Sequence, residues 1–359
     1  MSKLRIALLF GGVSSEHDVS LLSAASVIRN MPEEIEIIKI GITKKGRWLF
    51  FPGDVADIEN GAWEQNPDCV PCILSPDRAH AGIVKIGPDG DSTITKVDAV
   101  FPVLHGKNGE DGTVQGLCML SGIPYVGCDM TASALCMDKD SAKILLEKAG
   151  VPVVPWRTLR MEDMEQFEEI QQLLKAEIGY PMFVKPSAAG SSVGVSKVDS
   201  PEQLKKAVTL AFTHDYKVLC EKAVDCRELE CAVLGNDEAQ ASCVGEILPS
   251  AEFYDYEAKY LSGQSRLSIP AELSEEQSNF IRATALKAFR VLGCAGLSRV
   301  DFLMDKHTGG IYLNELNTLP GFTAISMYPK LWGQCGIPYA QLLQKLIELS
   351  IERAEQRNG

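Results

Sequence analysis

Ser298-Arg299-Val300-Asp301-Phe302-Leu303-Met304, the polar turn 305–310, and Ile311-Tyr312-Leu313-Asn314-Glu315-Leu316-Asn317 form the most informative stretch of the chain. Two apolar-rich runs joined by a Gly-containing turn predict a β-hairpin. Side chains two apart on a strand share a face, so Arg299 lies with Asp301 and Glu315 with Asn317. With the turn centred near Thr308, Asp301 falls opposite Glu315 and Arg299 opposite Asn317, gathering four polar groups on one face. Two carboxylates and an amide oxygen in an otherwise apolar hairpin suit Mg²⁺, a hard cation that takes oxygen ligands and shares them with substrate phosphates. Arg299 beside them could neutralise a developing anion. The other reading is a solvent-facing strand whose charges pair, Arg299 with Asp301, or stay hydrated.

Outward from the hairpin, residues 228–234 read as a further strand, with helices at 275–292 and 339–352. The C-terminal section is therefore α+β and is assigned to 224–359. Upstream, a helix at 139–149 is stopped by Gly150 and Val151-Pro152. Pro181 to Pro186 is a strand entering the small-residue loop Ser187 to Val195, and 217–222 is another strand, so a small central domain is placed at 139–223. Small residues let backbone N–H groups approach anionic oxygens, and Lys185 stands just before the loop; an ordinary Gly/Ser loop explains it equally well.

The first section, 1–138, opens on Leu4-Arg5-Ile6-Ala7-Leu8-Leu9-Phe10, a continuous apolar run of buried-strand type that breaks at Gly11-Gly12. A helix at 16–31 follows, with Leu21, Ala24 and Ile28 at helical spacing. Further apolar runs at 35–42 and 99–104 predict a Rossmann-like parallel α/β layer. The N–H groups and dipole of the 16–31 helix could hold an anion, although Glu16 there also serves as an ordinary first-turn acid. His105 follows a strand's C-terminal end, where α/β sites collect. His17, His80, His214 and His307 read as solvated, and Cys69-Val70-Pro71-Cys72 as a surface coincidence without a second metal-spaced pair.

At 359 residues the chain is long enough for two or three domains, and 45% hydrophobic with 23% charged residues is ordinary globular composition. Lys+Arg 35 against Asp+Glu 48 leaves a net charge of −13, which opposes nucleic acid and anionic membranes as partners. No apolar run approaches a bilayer span, and eleven scattered cysteines fit reduced, mostly buried thiols; a cytoplasmic location is expected.

Together the motifs resemble the D-alanine–D-alanine ligases of the ATP-grasp superfamily. The matching stretches are Gly11 to Ser20, His105 to Gly112, Met137-Asp138-Lys139, Val184 to Gly194, Tyr254 to Tyr260 and Asn314 to Phe322, in family order from end to end. The resemblance implies a three-domain ATP-grasp fold and an ATP-dependent joining of two D-alanine molecules through an acylphosphate, for peptidoglycan precursor synthesis. It implies that Lys139 and Lys185 bind ATP phosphates, that Glu221 meets the adenine, that Glu228 holds the ribose, and that Lys259 joins the nucleotide site. Asp301, Glu315 and Asn317 would hold two Mg²⁺ ions, with Mn²⁺ able to substitute. Glu16 would bind the first D-alanine's ammonium, linked to Ser191 and Tyr260, with His105 nearby. Arg299 and the Gly321 N–H would stabilise the tetrahedral intermediate, and Ser326 would receive the second D-alanine's carboxylate. The segment 254–265 is expected to close as a lid over the intermediate. A homodimer is also expected. Enzymes of the same fold making D-alanyl-D-lactate or D-alanyl-D-serine are the nearest alternative, against which Lys259-Tyr260 argues. A carboxylase-type relative would leave Glu16 and the 254–260 loop without a role, and a nucleotide-sensing protein would lack Arg299 or a metal ligand.

Overall fold

The computed structural model describes residues 3–190, 193–248 and 266–358. Three sheets build the chain. The first holds β1 (Leu4–Gly11), β2 (Ile35–Ile42), β3 (Trp48–Phe50), β4 (Val70–Leu74), β5 (Gly82–Ile86), β6 (Ser92–Lys96) and β7 (Ala99–Pro102), in the order β6-β5-β4-β3-β2-β1-β7. β1 runs parallel to β2 and β7, as the apolar runs predict. Both faces of β1 are covered, which is why its sequence does not alternate: Ile6, Leu8 and Phe10 enter one core cluster and Ala7 and Leu9 another. The expected parallel layer is only part of this sheet, because β3 to β6 extend it as an antiparallel meander. Their strands are short and half-exposed, so they lack the continuous apolar signal of β1.

The second sheet, β8 (Trp156–Arg160), β9 (Met182–Pro186), β10 (Ser196–Val198) and β11 (Lys217–Lys222), is antiparallel in the order β10-β9-β11-β8. Its core receives Leu174, Leu204 and Val208 from the helices Phe167–Glu177 and Pro201–Phe212. The third sheet has the order β14-β13-β12-β15-β16, formed by β12 (Cys226–Gly235), β13 (Gln240–Leu248), β14 (Arg266–Ser268), β15 (Gly296–Asp305) and β16 (Ile311–Asn317). One face of β12 sends Leu229, Cys231 and Val233 against the helix Glu275–Val291. The other carries Glu228 and Glu230, then Ala232 and Leu234 into a core shared with the first sheet. A single strand thus supplies both a row of acidic side chains and part of a core shared between two sheets.

The helix Tyr339–Asn358 fills that shared core with Leu342, Leu343, Leu346 and Ile347. Its buried Arg353 donates to the Tyr125 and Gly127 carbonyls, the first at 2.7 Å, and Arg357 pairs with Asp129 at 2.6 Å. The helix Lys139–Lys148 lies between the second and third sheets: Ala142 and Leu146 pack on the core of the third, while Lys143 faces Glu221 of β11.

Three expectations change. Cys72 is buried on β4, 4% exposed, so Cys69-Cys72 is not a surface feature. His17 is buried, its Nδ1 2.7 Å from the Gly12 carbonyl, because the glycine turn folds over the helix start. His80 is half-buried beside the Ser75 hydroxyl. All eleven cysteines are free thiols, seven of them buried. Among the described residues no helix is long and apolar enough to cross a membrane.

Candidate active site

A cleft of about 1200 Å³ lies where the three sheets meet. Glu16, His105 and Glu110 line it from the first unit, Lys139, Lys185 and Glu221 from the second, and Glu228, Glu230, Arg299, Asp301, Glu315 and Asn317 from the third.

The hairpin register is the one the sequence predicts. Asp301 pairs with Glu315 and Arg299 with Asn317, and a register shift follows between Asp301 and Phe302. Val300, Phe302 and Leu316 go into the core, so the four polar groups are pushed to the cleft side. Arg299 forks Asp301, both contacts at 2.7 Å, and reaches Glu230 at 3.1 Å. The Asn317 amide donates to Asp301 Oδ2 at 2.9 Å, and Lys139 Nζ lies 3.3 Å from Glu315 Oε2. The pairing of Arg299 with Asp301 is therefore present, but on a cleft wall rather than a solvent-facing strand. Among the described residues no three His, Cys, Asp or Glu side chains gather as a metal cluster. The oxygen set here is two carboxylates and an amide, with flanking cations to balance it. That set fits Mg²⁺ shared with phosphate oxygens.

Glu16 is buried and stands at the N-terminus of the helix His17–Asn30, its N–H donating to Ser14 Oγ at 2.9 Å. Its carboxylate is enclosed by backbone. A Cβ on Gly106 would come within 2.3 Å of Glu16 Oε2, and one on Gly190 within 2.9 Å. Gly106 also has φ +65°, so two constraints demand glycine there. His105 spans two units, its Nε2 3.1 Å from Ser23 Oγ and its Nδ1 3.2 Å from the Leu319 carbonyl. Burial lowers its pKa from the ordinary histidine value despite the pull of Glu16. A neutral ring donating from Nδ1 to the carbonyl satisfies both contacts.

Glu110 has no role in the sequence reading. It accepts the Gly106 N–H at 2.8 Å, and burial, then Glu16, push its pKa up to about 8. A carboxyl raised in this way adds stability that is complete below its unfolded pKa and lost as pH rises through about 8. Glu110→Gln fixes the neutral state, so its Tm is expected to fall by a few degrees less than that of the parent between pH 6 and 8. Parallel thermal melts at these pH values check this, and identical slopes would exclude it. Glu230 is the other omission. It sits opposite Asp301 in register, and the alternation Glu228-Leu229-Glu230 was its available signal.

On the wall built by the second sheet and the helix Lys139–Lys148, Lys139 Nζ donates to the Ala189 carbonyl at 2.9 Å, Lys185 ion-pairs with Glu221, and Lys143 Nζ lies 3.2 Å from the same carboxylate. Asp138 caps the helix Lys139–Lys148 by accepting the Ser141 N–H, and it takes Lys217 Nζ at 2.5 Å and Ser187 Oγ at 2.7 Å. This network ties the helix start to the first residue of the small-residue loop and to the start of β11. Gly321 and Ser326 are adjacent: a Cβ on Gly321 would lie 2.8 Å from Ser326 Oγ. Ser326 is the N-cap residue of the helix Met327–Gln334, its Oγ accepting the Thr323 N–H at 3.0 Å. Phe322 anchors this loop by packing edge-on to Phe101 and against Tyr328. Ser191, Lys259, Tyr260 and the segment 254–265 lie outside the described residues.

Residues 5–128 match the family description D-ala D-ala ligase N-terminus, and residues 145–348 match D-ala D-ala ligase C-terminus. A D-alanine–D-alanine ligase of Caldicellulosiruptor bescii is 49% identical over 361 aligned positions, covering 100% of this chain and 98% of the relative. The crystal structure of a D-Ala:D-Ser ligase from Enterococcus faecalis superposes with TM-score 0.88 at 42% identity, covering 97% of this chain and 99% of that one. The D-alanine–D-alanine ligase structure from Coxiella burnetii gives 0.86 at 34% identity, covering 99% and 97%. With both family regions matched and near half of all positions shared over the full length, the chain has the ATP-grasp fold and belongs to the D-alanine–D-alanine ligase family.

Proposed function

We propose that the chain joins two D-alanine molecules into D-alanyl-D-alanine, a peptidoglycan precursor, with ATP converted to ADP and phosphate. The observation that carries this reading is the convergence on one cleft of Glu16, the paired lysines Lys139 and Lys185, and the Arg299-Asp301-Glu315-Asn317 face. A carboxylate is a poor acyl donor until it is phosphorylated. The first D-alanine is held by its ammonium on Glu16, with the helix N-terminus and His105 beside it. Its carboxylate attacks the γ-phosphorus of ATP and ADP departs. The amine of the second D-alanine, held by its carboxylate at Ser326, attacks the acyl carbon; Arg299 and the Gly321 N–H meet the developing oxyanion, and phosphate leaves. Lys139 and Lys185 offset the repulsion between two anions brought together, Glu221 and Glu228 hold the adenosine, and Lys259 completes the nucleotide site. Ser191 and Tyr260 complete the link to Glu16. Asp301, Glu315 and Asn317 would hold two Mg²⁺ ions, or Mn²⁺, whose chemistry is to neutralise phosphate charge.

The units 1–138, 139–223 and 224–359 belong to this reading, as do a cytoplasmic location and an absence of nucleic-acid or membrane partners. So does a homodimer. Ile73, Val84 and Ile94 form a cross-strand row on β4 to β6, with Ile73 and Ile94 exposed, and Met119 and Leu120 are exposed on the helix Thr113–Ser121.

Gly106→Ala should lower kcat/KM for D-alanine by roughly 10²-fold, because the new methyl displaces the Glu16 carboxylate. Initial rates at varied D-alanine check this, and an effect below threefold would contradict the placement of Glu16. The similarity to the Enterococcus D-Ala:D-Ser ligase keeps D-serine as a second acceptor to be tested. Product analysis with equimolar D-alanine and D-serine, then D-alanine and D-lactate, decides it: D-alanyl-D-alanine is expected as main product at pH 7.5. Tyr260→Phe should loosen this preference several-fold, through loss of a hydrogen bond worth about 0.5–1.5 kcal/mol. Dominant D-alanyl-D-serine or depsipeptide would overturn the acceptor assignment while leaving the ATP chemistry intact.

A further inference from the structure

Lys143 has no place in the reaction above, yet it is one of the most deeply buried charged side chains of the protein, 1% exposed. It does not reach the cleft; its Nζ lies 3.2 Å from Glu221 Oε2 and 5.4 Å from the centre of the Trp156 ring. The other carboxylate oxygen of Glu221, Oε1, takes Lys185, which does line the cleft. One carboxylate is thus shared by two ammonium groups, one behind it and one in front. Burial alone would raise the Glu221 pKa, but Lys185 and Lys143 outweigh burial and hold it below the ordinary glutamate value. Burial lowers the Lys143 pKa, and Glu221 opposes that shift.

We propose that Lys143 is a positioning residue for nucleotide binding: it keeps Glu221 compensated from behind, so that Lys185 can leave Glu221 and turn to the phosphates of ATP. This rests on the reading of Lys185 as a phosphate ligand. A buried carboxylate stripped of its only cation is strongly unfavourable. With Lys143 absent, Lys185 would have to remain on Glu221, and ATP binding would compete with that ion pair. With Lys143 present, the move exchanges one pairing of Lys185 for another and leaves no orphan charge. The helix geometry supports the arrangement. Trp156 Nε1 donates to Asp140 Oδ1 at 3.2 Å, and Thr158 Oγ1 donates to the same oxygen at 2.5 Å, which fixes the helix bearing Lys143 against β8.

The test is steady-state kinetics on the full-length enzyme at saturating D-alanine and Mg²⁺, with ATP varied, for Lys143→Met, Lys143→Arg, Glu221→Gln, Lys185→Met and the double variant Lys143→Met/Glu221→Gln. Lys143→Met should raise KM for ATP at least tenfold with kcat changed less than threefold, and Lys143→Arg, which keeps the charge, should stay within threefold of the parent in both. In the Glu221→Gln background, where no carboxylate needs compensation, Lys143→Met should change KM by less than twofold. An equal rise in both backgrounds would reduce Lys143 to a packing residue and overturn the proposal. If Lys143→Met does not fold, the double variant against Glu221→Gln carries the comparison, together with Lys143→Arg. A tenfold KM rise in either of these would overturn it. Lys185→Met separates the two levels: unchanged KM for ATP there would refute the phosphate role of Lys185, whereas a raised KM there with no effect of Lys143→Met would refute only the positioning role.

Discussion

Glu315→Gln is expected to lower kcat at saturating Mg²⁺ by about 10³-fold while leaving the thermal midpoint within a few degrees of the parent. Glu315 sits opposite Asp301 in the β15–β16 hairpin, with Lys139 Nζ 3.3 Å from its Oε2. The substitution keeps the shape and removes the charge. A neutral amide is a far weaker partner for a hard cation, and several kcal/mol of charge stabilisation on the phosphates would go with it. The loss should fall mainly on kcat, since the charge being neutralised grows as phosphoryl transfer proceeds. Phosphate release measured across a Mg²⁺ titration checks this. An unchanged kcat at high Mg²⁺ would remove Glu315 from the metal site.

Glu16→Gln is expected to cost at least 10²-fold in kcat/KM for D-alanine, with KM for ATP changed by less than threefold. The Glu16 carboxylate is buried between the Gly106 and Gly190 backbones, at the N-terminus of the helix His17–Asn30. A substrate ammonium brought there loses water, and the charge-assisted contact that replaces it is among the stronger hydrogen bonds available. An amide keeps the shape but lacks the charge. Rates with D-alanine varied at saturating ATP, then the reverse, separate the two effects. An equal rise in both KM values would mean that Glu16 supports the fold of the cleft rather than the amino-acid subsite.

The parts of the site that could be read in the sequence are those whose geometry is local. Strand periodicity fixes which side chains share a face, so the hairpin pairings Asp301–Glu315 and Arg299–Asn317 followed once the turn was centred near Thr308. The strand at 4–10 was legible because both its faces are covered and Ile6 to Phe10 are all apolar. The antiparallel strands β3 to β6 were not, since three to five half-exposed residues carry little pattern. Glu110 was missed for a different reason. Its raised pKa arises from burial and then from Glu16, and spacing along the chain does not encode that proximity. Lys143 has no reading in the sequence; only the packing of its helix between two sheets turns it inward. His17 was misread because the fold of the Gly11-Gly12 turn over the helix start is a tertiary fact.

The acylphosphate route is the central chemical claim, and following oxygen tests it most directly. In this mechanism a carboxylate oxygen of the first D-alanine becomes bonded to phosphorus and leaves with the phosphate when the second amine attacks the acyl carbon. With D-alanine labelled by ¹⁸O in its carboxylate, ATP and Mg²⁺, mass analysis of the released phosphate should find one ¹⁸O per phosphate, in step with one D-alanyl-D-alanine formed. Phosphate released without ¹⁸O, or released at the same rate when D-alanine is omitted, would contradict the account.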